Sequence, residues 1–356
     1  MDIINCSYLY TNNKKDPATG IYTENYSGYK IAIDGLYDYY VSAHFITIVV
    51  SSGNITTDNT DSRYNPYGKI SSQAYAYNVI TVGGLMQDRE SAAQGLNIWK
   101  HHTNAAYITE NGDETKPNIS APYKVTVPGA GENGNDVVCN GTSYSAPIVA
   151  GCIALLMESN IDYCIFPEVI SSTVMATATK NKGYDNDIYP DNYLNIKTGA
   201  GVINLEAMLN CDFSLSKDTF LQETLEDECV SITSPFDFTH TDNWGNLLTF
   251  DIELDYNDSI TLSLAWCVPT KAASGGKWEP CCTNYDMYIF APGDYTSNDD
   301  FGVTLPIAES VTEVYNNEFI RITAPETGTY TVVIWQYGDM DPTVTREYLA
   351  FAYHIS

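Results

Sequence analysis

Two rhythms of apolar and polar residues divide this chain. In the first part, Ile31, Ile33, Leu36, Tyr37, Tyr40 and Val41 recur at helical spacing between Gly28 and Phe45. The β-branched run Phe45-Ile46-Thr47-Ile48-Val49-Val50 follows at once, ending in Ser51-Ser52-Gly53-Asn54. Such a run predicts a strand buried on both faces, and a helix leading into it predicts a βαβ unit with a parallel sheet. Residues 2–7 predict a short strand and residues 11–28 a turn-rich loop. Val79-Ile80-Thr81-Val82-Gly83-Gly84 predicts a second buried strand, and Val125-Thr126-Val127 another. From Thr142 to Met157 the residues are good helix formers and apolar on nearly all sides, which predicts a buried helix.

After Cys211 the rhythm changes to strict alternation. Strands are predicted over residues 247–252, 260–266, 285–290, 319–322, 330–335 and 348–353. Turns such as Ala291-Pro292-Gly293-Asp294 and Ala324-Pro325-Glu326-Thr327-Gly328 separate them. Short strands without helices predict an all-β antiparallel sandwich or jelly roll. The expected fold is thus α/β over 1–211, a parallel sheet with flanking helices, followed by an all-β domain over 212–356.

Composition adjusts this picture little. A length of 356 residues, 44% hydrophobic, is enough for two domains with their own cores. Lys+Arg 17 against Asp+Glu 45 gives a net charge of −28, which disfavours nucleic acid and anionic membrane as partners. The acidic residues are spread along the chain, so no acidic arm is indicated. No apolar run reaches membrane-spanning length, and Met1 to Ser7 lacks the basic-then-apolar pattern of a signal peptide. The chain begins inside a strand pattern, which raises the expectation of a segment upstream. Nine cysteines cannot all pair internally. Cys139, Cys152 and Cys164 are read as small buried hydrophobes. Cys281-Cys282 cannot easily pair with each other, and either could reach Cys267 from a neighbouring strand. No Cys/His cluster has zinc spacing, so no metal ligands are assigned.

The chemistry centres on Asn140-Gly141-Thr142-Ser143-Tyr144-Ser145-Ala146-Pro147, a small polar turn running into the apolar helix. A hydroxyl at a helix start is commonly a cap. Here Gly141 permits a sharp turn, and a buried helix aiming Ser143 from its N-terminus is a good mount for a nucleophile. The stretch Gly-Thr-Ser-x-Ser-Ala-Pro resembles the serine motif of the subtilisin-like (subtilase) peptidases. Four further stretches are similar to that family in order: Ile3-Ile4-Asn5-Cys6-Ser7, Val49-Val50-Ser51-Ser52-Gly53-Asn54, Lys116-Pro117-Asn118-Ile119-Ser120-Ala121-Pro122 and Gly199-Ala200-Gly201-Val202-Ile203-Asn204. Val79-Ile80-Thr81-Val82-Gly83 matches the core strand that follows the second of these. The resemblance implies Ser143 as nucleophile, with the Asn54 side chain and the Ser143 N–H as oxyanion donors. It implies Asn5, Ser7 and Gly53 as substrate-binding positions. Asn118 stands where the family has Asp, and Leu9-Tyr10 where it has Gly-Gly. For Asn54 the plain alternative is a turn residue after glycine.

In this family an Asp and then a His precede the Ser, and neither His-Gly nor Asp-[Ser/Thr]-Gly occurs here. His44 reads as the C-terminal residue of a helix, where a cation is favoured. His101-His102 read as part of an irregular polar stretch, and His240 and His354 fall in the second domain. Asp34 reads as a solvated helix position. The expectation is therefore a serine endopeptidase whose Asp and His come from an upstream chain or segment, with no useful activity in this polypeptide alone. The alternative is a non-catalytic pseudoenzyme or binding module that presents its β domain. The second domain resembles the β-sandwich following the catalytic domain in some bacterial subtilases, through residues 262–266, 284–289 and 324–332. The resemblance also implies protein or peptide substrates, an extracellular or cell-surface location, and calcium as a cofactor. Asp286, Asp294, Asp299 and Asp300 are the candidate oxygen donors for calcium, although acidic turn residues are commonly just solvated.

Overall fold

Strand β4 (Thr47–Ser51) is buried at every position, as its unbroken β-branched run requires. It lies between β1 (Ile3–Cys6) and β5 (Ile80–Gln87), parallel to both, with Val49 opposite Asn5 on one side and Ile80 on the other. The computed structural model in which this is seen describes residues 2–7, 13–15, 22–24, 29–55, 70, 72–88, 98–103, 105, 115–129, 134–189, 191–215, 224–225, 229–236, 247–273, 277–280, 283–297, 301–312, 315–337 and 347–356. Between β1 and β4 run the short hairpin strands β2 (Asn13–Lys15) and β3 (Tyr22–Glu24), then helix α1 (Tyr29–His44). Strand β6 (Trp99–His101) pairs antiparallel with the end of β5, and β7 (Ile119–Pro122) pairs parallel with its middle. The hairpin β8 (Lys124–Val127) and β9 (Val137–Asn140) leads into helix α2 (Thr142–Ser159), followed by α3 (Pro167–Ala176) and α4 (Leu205–Leu209).

The pleat of β4 sorts the two layers. Ile48 and Val50 join Val41 of α1 and Cys6 in one cluster. Val49 joins Ile80, Val82 and Ile119 under α2 and α3 in the other. Among the described residues the strand order β1-β4-β5 leaves β1 at the edge of the sheet, with Ile4 and Asn5 exposed.

The remaining strands are β10 (Asp212–Leu215), β11 (Thr224–Leu225), β12 (Cys229–Phe236), β13 (Leu247–Leu254), β14 (Ser259–Trp266), β15 (Thr270–Ala273), β16 (Lys277–Pro280), β17 (Asn284–Phe290), β18 (Ala308–Ser310), β19 (Asn317–Thr323), β20 (Gly328–Tyr337) and β21 (Glu347–Ile355). They form two five-stranded sheets, β10-β12-β21-β14-β19 and β11-β13-β20-β17-β18, plus a β15–β16 hairpin. One core joins the two sheets, including Phe250, Ile252, Leu262, Leu264, Tyr285, Met287, Ile334 and Phe351. The expected antiparallel arrangement holds except at two places: β10 runs parallel to β12 and β11 parallel to β13. Alternation in sequence encodes which face is buried and carries no information about a neighbour's direction.

These β-sheets pack directly on the α/β part. Phe319 and Ala350 belong to the same cluster as α2 and α3. Arg321, between the core residues Ile320 and Ile322, is buried against the α/β part. Its guanidinium donates to Ala200 O (Nη1, 3.0 Å), Ala178 O (Nη2, 2.6 Å) and Thr261 Oγ1 (Nε, 2.9 Å), over the rings of Tyr184 and Phe319. At a second contact, Asn78 Nδ2 donates to Val268 O at 2.9 Å and Val268 N to Asn78 Oδ1 at 2.7 Å. The N–H of Asn78 is held by Asp38 Oδ1 at 2.7 Å.

Several expectations change here. Cys139, Cys152 and Cys164 are half-buried, and among the described residues Cys6 and Cys211 are the buried thiols. The Cys267 thiol donates to Glu168 Oε2 at 3.4 Å, so it faces α3; Cys281 and Cys282 lie outside the described residues. Asp34 is half-buried on α1, because the β15–β16 hairpin packs against that helix. His101 is the last residue of the regular strand β6. Helix α2 is buried at Thr142, Ser145, Ala146, Val149, Ile153, Leu156 and Met157 only. Pro147, Gly151, Ala154 and Leu155 are exposed, so its apolar surface is covered on one side and open on the other.

Candidate active site

Strand β4 ends at Ser51, and the next residues deliver Gly53 and Asn54 to the start of α2. The turn is made by Gly141 at φ 137°, a region that disfavours any side chain. Its N–H is fixed by Tyr123 O at 2.9 Å, beyond the end of β7. A Cβ on residue 141 would meet Asn54 Nδ2 at 3.4 Å, an ordinary contact, so the backbone angle and not crowding favours glycine there.

Neither hydroxyl at this helix start acts as a cap. Thr142 Oγ1 instead accepts from Gly53 N and donates to Gly53 O, both at 3.1 Å. Asn54 Oδ1 accepts from Thr142 N at 2.9 Å. With its oxygen so engaged, the amide offers Nδ2 as its donor end. The Ser143 N–H belongs to the first helical turn, whose N–H groups have no intrahelical acceptor and sit at the positive end of the helix dipole. Thr142 thus ties Gly53 and Asn54 to the helix start, where Ser143 is the next residue. The role of Thr142 was missed, although its place in Gly-Thr-Ser was the available signal.

Ser143 Oγ donates to Ser7 O at 3.0 Å, which brings the end of β1 into the same site. Asn5 and Ser7 are joined through their side chains, Asn5 Nδ2 donating to Ser7 Oγ at 3.0 Å. A backbone carbonyl cannot take the serine proton, so this contact holds the hydroxyl without activating it. Among the described residues no histidine or carboxylate is bonded to Ser143. His44 is exposed at the end of α1 against the rings of Tyr39 and Tyr40. Burial pushes His101 down to about 4, and the His102 ring stacks on Tyr123 at 3.9 Å, its pKa also lowered by burial. His354 lies on β21, opposite Cys229 and Thr261. His240 and Leu9-Tyr10 lie outside the described residues.

The support of the site is polar and buried. Asn118 Oδ1 accepts from Thr81 N at 2.8 Å and from Lys116 Nζ at 3.0 Å. Lys116 Nζ also donates to Val79 O at 2.7 Å. Gly199 sits at φ 64°, and a Cβ there would come within 2.2 Å of Pro117 O, so only glycine lets the 199–201 segment close on β7. Burial raises Asp38 to about 7, against the lowering effects of backbone N–H bonds from Asn78 and Tyr77 and the Lys116 charge. Of the calcium candidates, Asp286 is buried and accepts from Tyr288 Oη at 3.2 Å, while Asp294 lies in the turn after β17. Among the described residues no three potential ligands converge, so Asp286 and Asp294 do not by themselves make a calcium site; Asp299 and Asp300 lie outside the described residues. Glu318, which the sequence reading passed over, is fully buried and accepts from the Ser310 and Thr312 hydroxyls.

The subtilase family model matches residues 1–201. More than half of the chain is covered, and the chain belongs to the subtilase family. A comparison with curated proteins gives no match. Among solved structures, the prenylagaramide maturation protease PagA is 21% identical with a TM-score of 0.37, over 58% of this chain and 61% of that one. The patellamide maturation protease PatA is 18% identical at a TM-score of 0.37, with the same coverage of 58% and 61%. The PatG macrocyclase in complex with peptide is 16% identical at 0.37, over 58% of this chain and 50% of that one. The chain therefore spans 61% of the length of the two maturation proteases.

Proposed function

We propose that this chain is the serine-bearing part of a serine endopeptidase. Ser143 attacks the scissile carbonyl to form an acyl-enzyme, while Asn54 Nδ2 and the Ser143 N–H stabilise the oxyanion. The observation that carries this reading is the clamp at Thr142, which holds Gly53, Asn54 and the helix start in one constellation. Asn5, Ser7 and Gly53 line the approach of an extended protein or peptide substrate, which pairs along the end of β1. The base and its orienting carboxylate come from a further polypeptide segment. In a subtilisin, loss of the triad histidine costs about 10⁶ in kcat, so the chain alone is expected to be silent. An extracellular or cell-surface location belongs to the same proposal.

A non-catalytic role is the second reading, favoured by the Ser143 hydroxyl resting on a carbonyl that cannot activate it. The test is casein hydrolysis by the full chain, alone and with a separately produced N-terminal half of a subtilase catalytic domain that carries its Asp and His. Hydrolysis is expected only in the mixture and is abolished by Ser143→Ala. Asn54→Ala should lower kcat by about 10²–10³, the size known for the corresponding donor in a subtilisin. Robust cleavage by the chain alone would refute the divided site, and a mixture that stays inactive would favour the non-catalytic reading.

A further inference from the structure

The sheet β11-β13-β20-β17-β18 turns one face into the sandwich core, through residues such as Ile252, Met287 and Ile334. The partner sheet packs on the α/β part through Phe319 and Ala350, so the outer face of this one points away from that part. A sheet face turned to water is expected to be polar. Here a row of rings crosses it instead. Tyr288 meets Phe301 at 5.2 Å, Phe301 meets Trp335 at 5.4 Å, and Trp335 meets Tyr337 at 5.1 Å. Phe301 is buried, Tyr288 and Trp335 are half-buried, and Tyr337 is 58% exposed. Successive ring planes stand at 82°, 63° and 85°, so they form walls and not a flat plate. Walls of this kind suit a compact cation held against ring faces, whereas a flat ligand stacks on parallel rings.

The charge on this face has one sign. Asp251, Glu253, Asp286 and Glu309 alternate with the core positions of their strands and so point outward. Strands β13, β17, β18 and β20 contain no lysine, arginine or histidine. Glu309 is exposed and stands opposite Tyr288, while Asp286 stands opposite Trp335 and accepts from Tyr288 Oη at 3.2 Å. Burial, and then the carboxylates of Asp286, Glu309 and Glu318, hold the Tyr288 hydroxyl far above its ordinary pKa, so the field around that ring is negative. Strands β18 and β13 lie three strand spacings apart, about 14 Å, so carboxylates flank the rings on both sides.

We infer that this outer face is the docking surface for a basic polypeptide segment, whose lysine or arginine side chains lie against Tyr288, Trp335 and Tyr337 and reach the flanking carboxylates. Charge complementarity selects this occupant. A second copy of the chain, with its net charge of −28, meets the face with like charge, and an anionic bilayer or nucleic acid does the same. The surface stands whether or not Ser143 is a working nucleophile, since it belongs wholly to the β-sheet part.

The test uses the full chain and, as probe, a dye-labelled peptide of alternating lysine and glycine, with binding followed by fluorescence anisotropy. Its glutamate counterpart and phosphatidylcholine vesicles are the comparison probes. Glu309→Gln and Tyr337→Ala change exposed positions on the face, so the chain's own fold is preserved. Glu206→Gln, exposed on α4, removes the same charge elsewhere and is the control. The unmodified chain and E206Q should bind the lysine peptide equally, while E309Q and Y337A each weaken it about threefold. No binding of the lysine peptide, or equal binding of the glutamate peptide, would overturn the inference. So would a loss in E206Q equal to that in E309Q, which would make the attraction diffuse. Unchanged affinity in Y337A would overturn it by removing the rings from the site. Binding to phosphatidylcholine vesicles that Y337A weakens, with none to the peptide, would overturn it by making a lipid headgroup the occupant.

Discussion

Replacing Arg321 by alanine should destabilise the whole chain far more than an ordinary surface substitution. The guanidinium donates to two backbone carbonyls, Ala178 O and Ala200 O, and both parent residues are buried. Leaving a buried acceptor unpaired costs about 1–3 kcal/mol each. Loss of the cation over the rings of Tyr184 and Phe319 adds about 1 kcal/mol. The total is about 4 kcal/mol, in the range that marks a broken buried network. At about 2 °C per kcal/mol for a chain of this size, melting should fall by about 8 °C. The measurement is urea unfolding followed by tryptophan fluorescence, with hydrogen exchange at the Thr179 and Val202 amides, which bond each other's carbonyls beside the arginine. Arg321→Lys keeps the charge but not the fork, and about half the loss is expected. A loss below about 1 kcal/mol for Arg321→Ala would show that water satisfies these carbonyls, and the account of how the two parts are joined would fail.

Two further predictions concern buried ionisable groups. Burial raises Glu168 from 4.5 to about 7 in the folded chain, so between those values the native state binds more protons than the unfolded one. Stability should be fully present below about pH 4.5 and fall by about 3 kcal/mol as pH rises through 7. Glu168→Gln should remove that part of the slope in melts taken from pH 4 to 8, leaving the part that Asp38 contributes, and an unchanged slope would sink the assignment. Asn118→Asp gives the buried Lys116 a carboxylate at its 3.0 Å contact while still accepting from Thr81 N. A gain of about 1 kcal/mol is expected at pH 7, and a net loss in urea unfolding would show that desolvation of the new charge outweighs the pairing.

What could be read in advance depended on how local the cause was. The run at β4 announced a doubly covered strand, because burial on both faces demands apolar residues at every position. Gly141, Ser143 and Asn54 were legible because a turn, a helix start and a strand end each leave a local signature. The clamp from Thr142 to Gly53 was not, since nothing within a few residues signals a bond across 89 positions. Arg321 sits in an alternating strand between two isoleucines, which reads as a solvent-facing position. The face it occupies is instead a second interior, and alternation cannot distinguish water from another part of the same chain. Helix α2 failed for a related reason: an apolar circumference shows how much cover a helix could accept and says nothing about how much it receives.

The position of β21 has a consequence for how this protein is made. In the order β10-β12-β21-β14-β19 the latest strand in sequence fills the middle of the sheet, with Cys229 of β12 paired to His354. During translation, β12 and β14 must therefore emerge and wait with facing edges unpaired until residues 347–355 arrive. Pairing at such sequence separation is slow, and waiting edges invite aggregation. A chain cut between β19 and β21 would carry a slot between β12 and β14, the two strands that β21 joins.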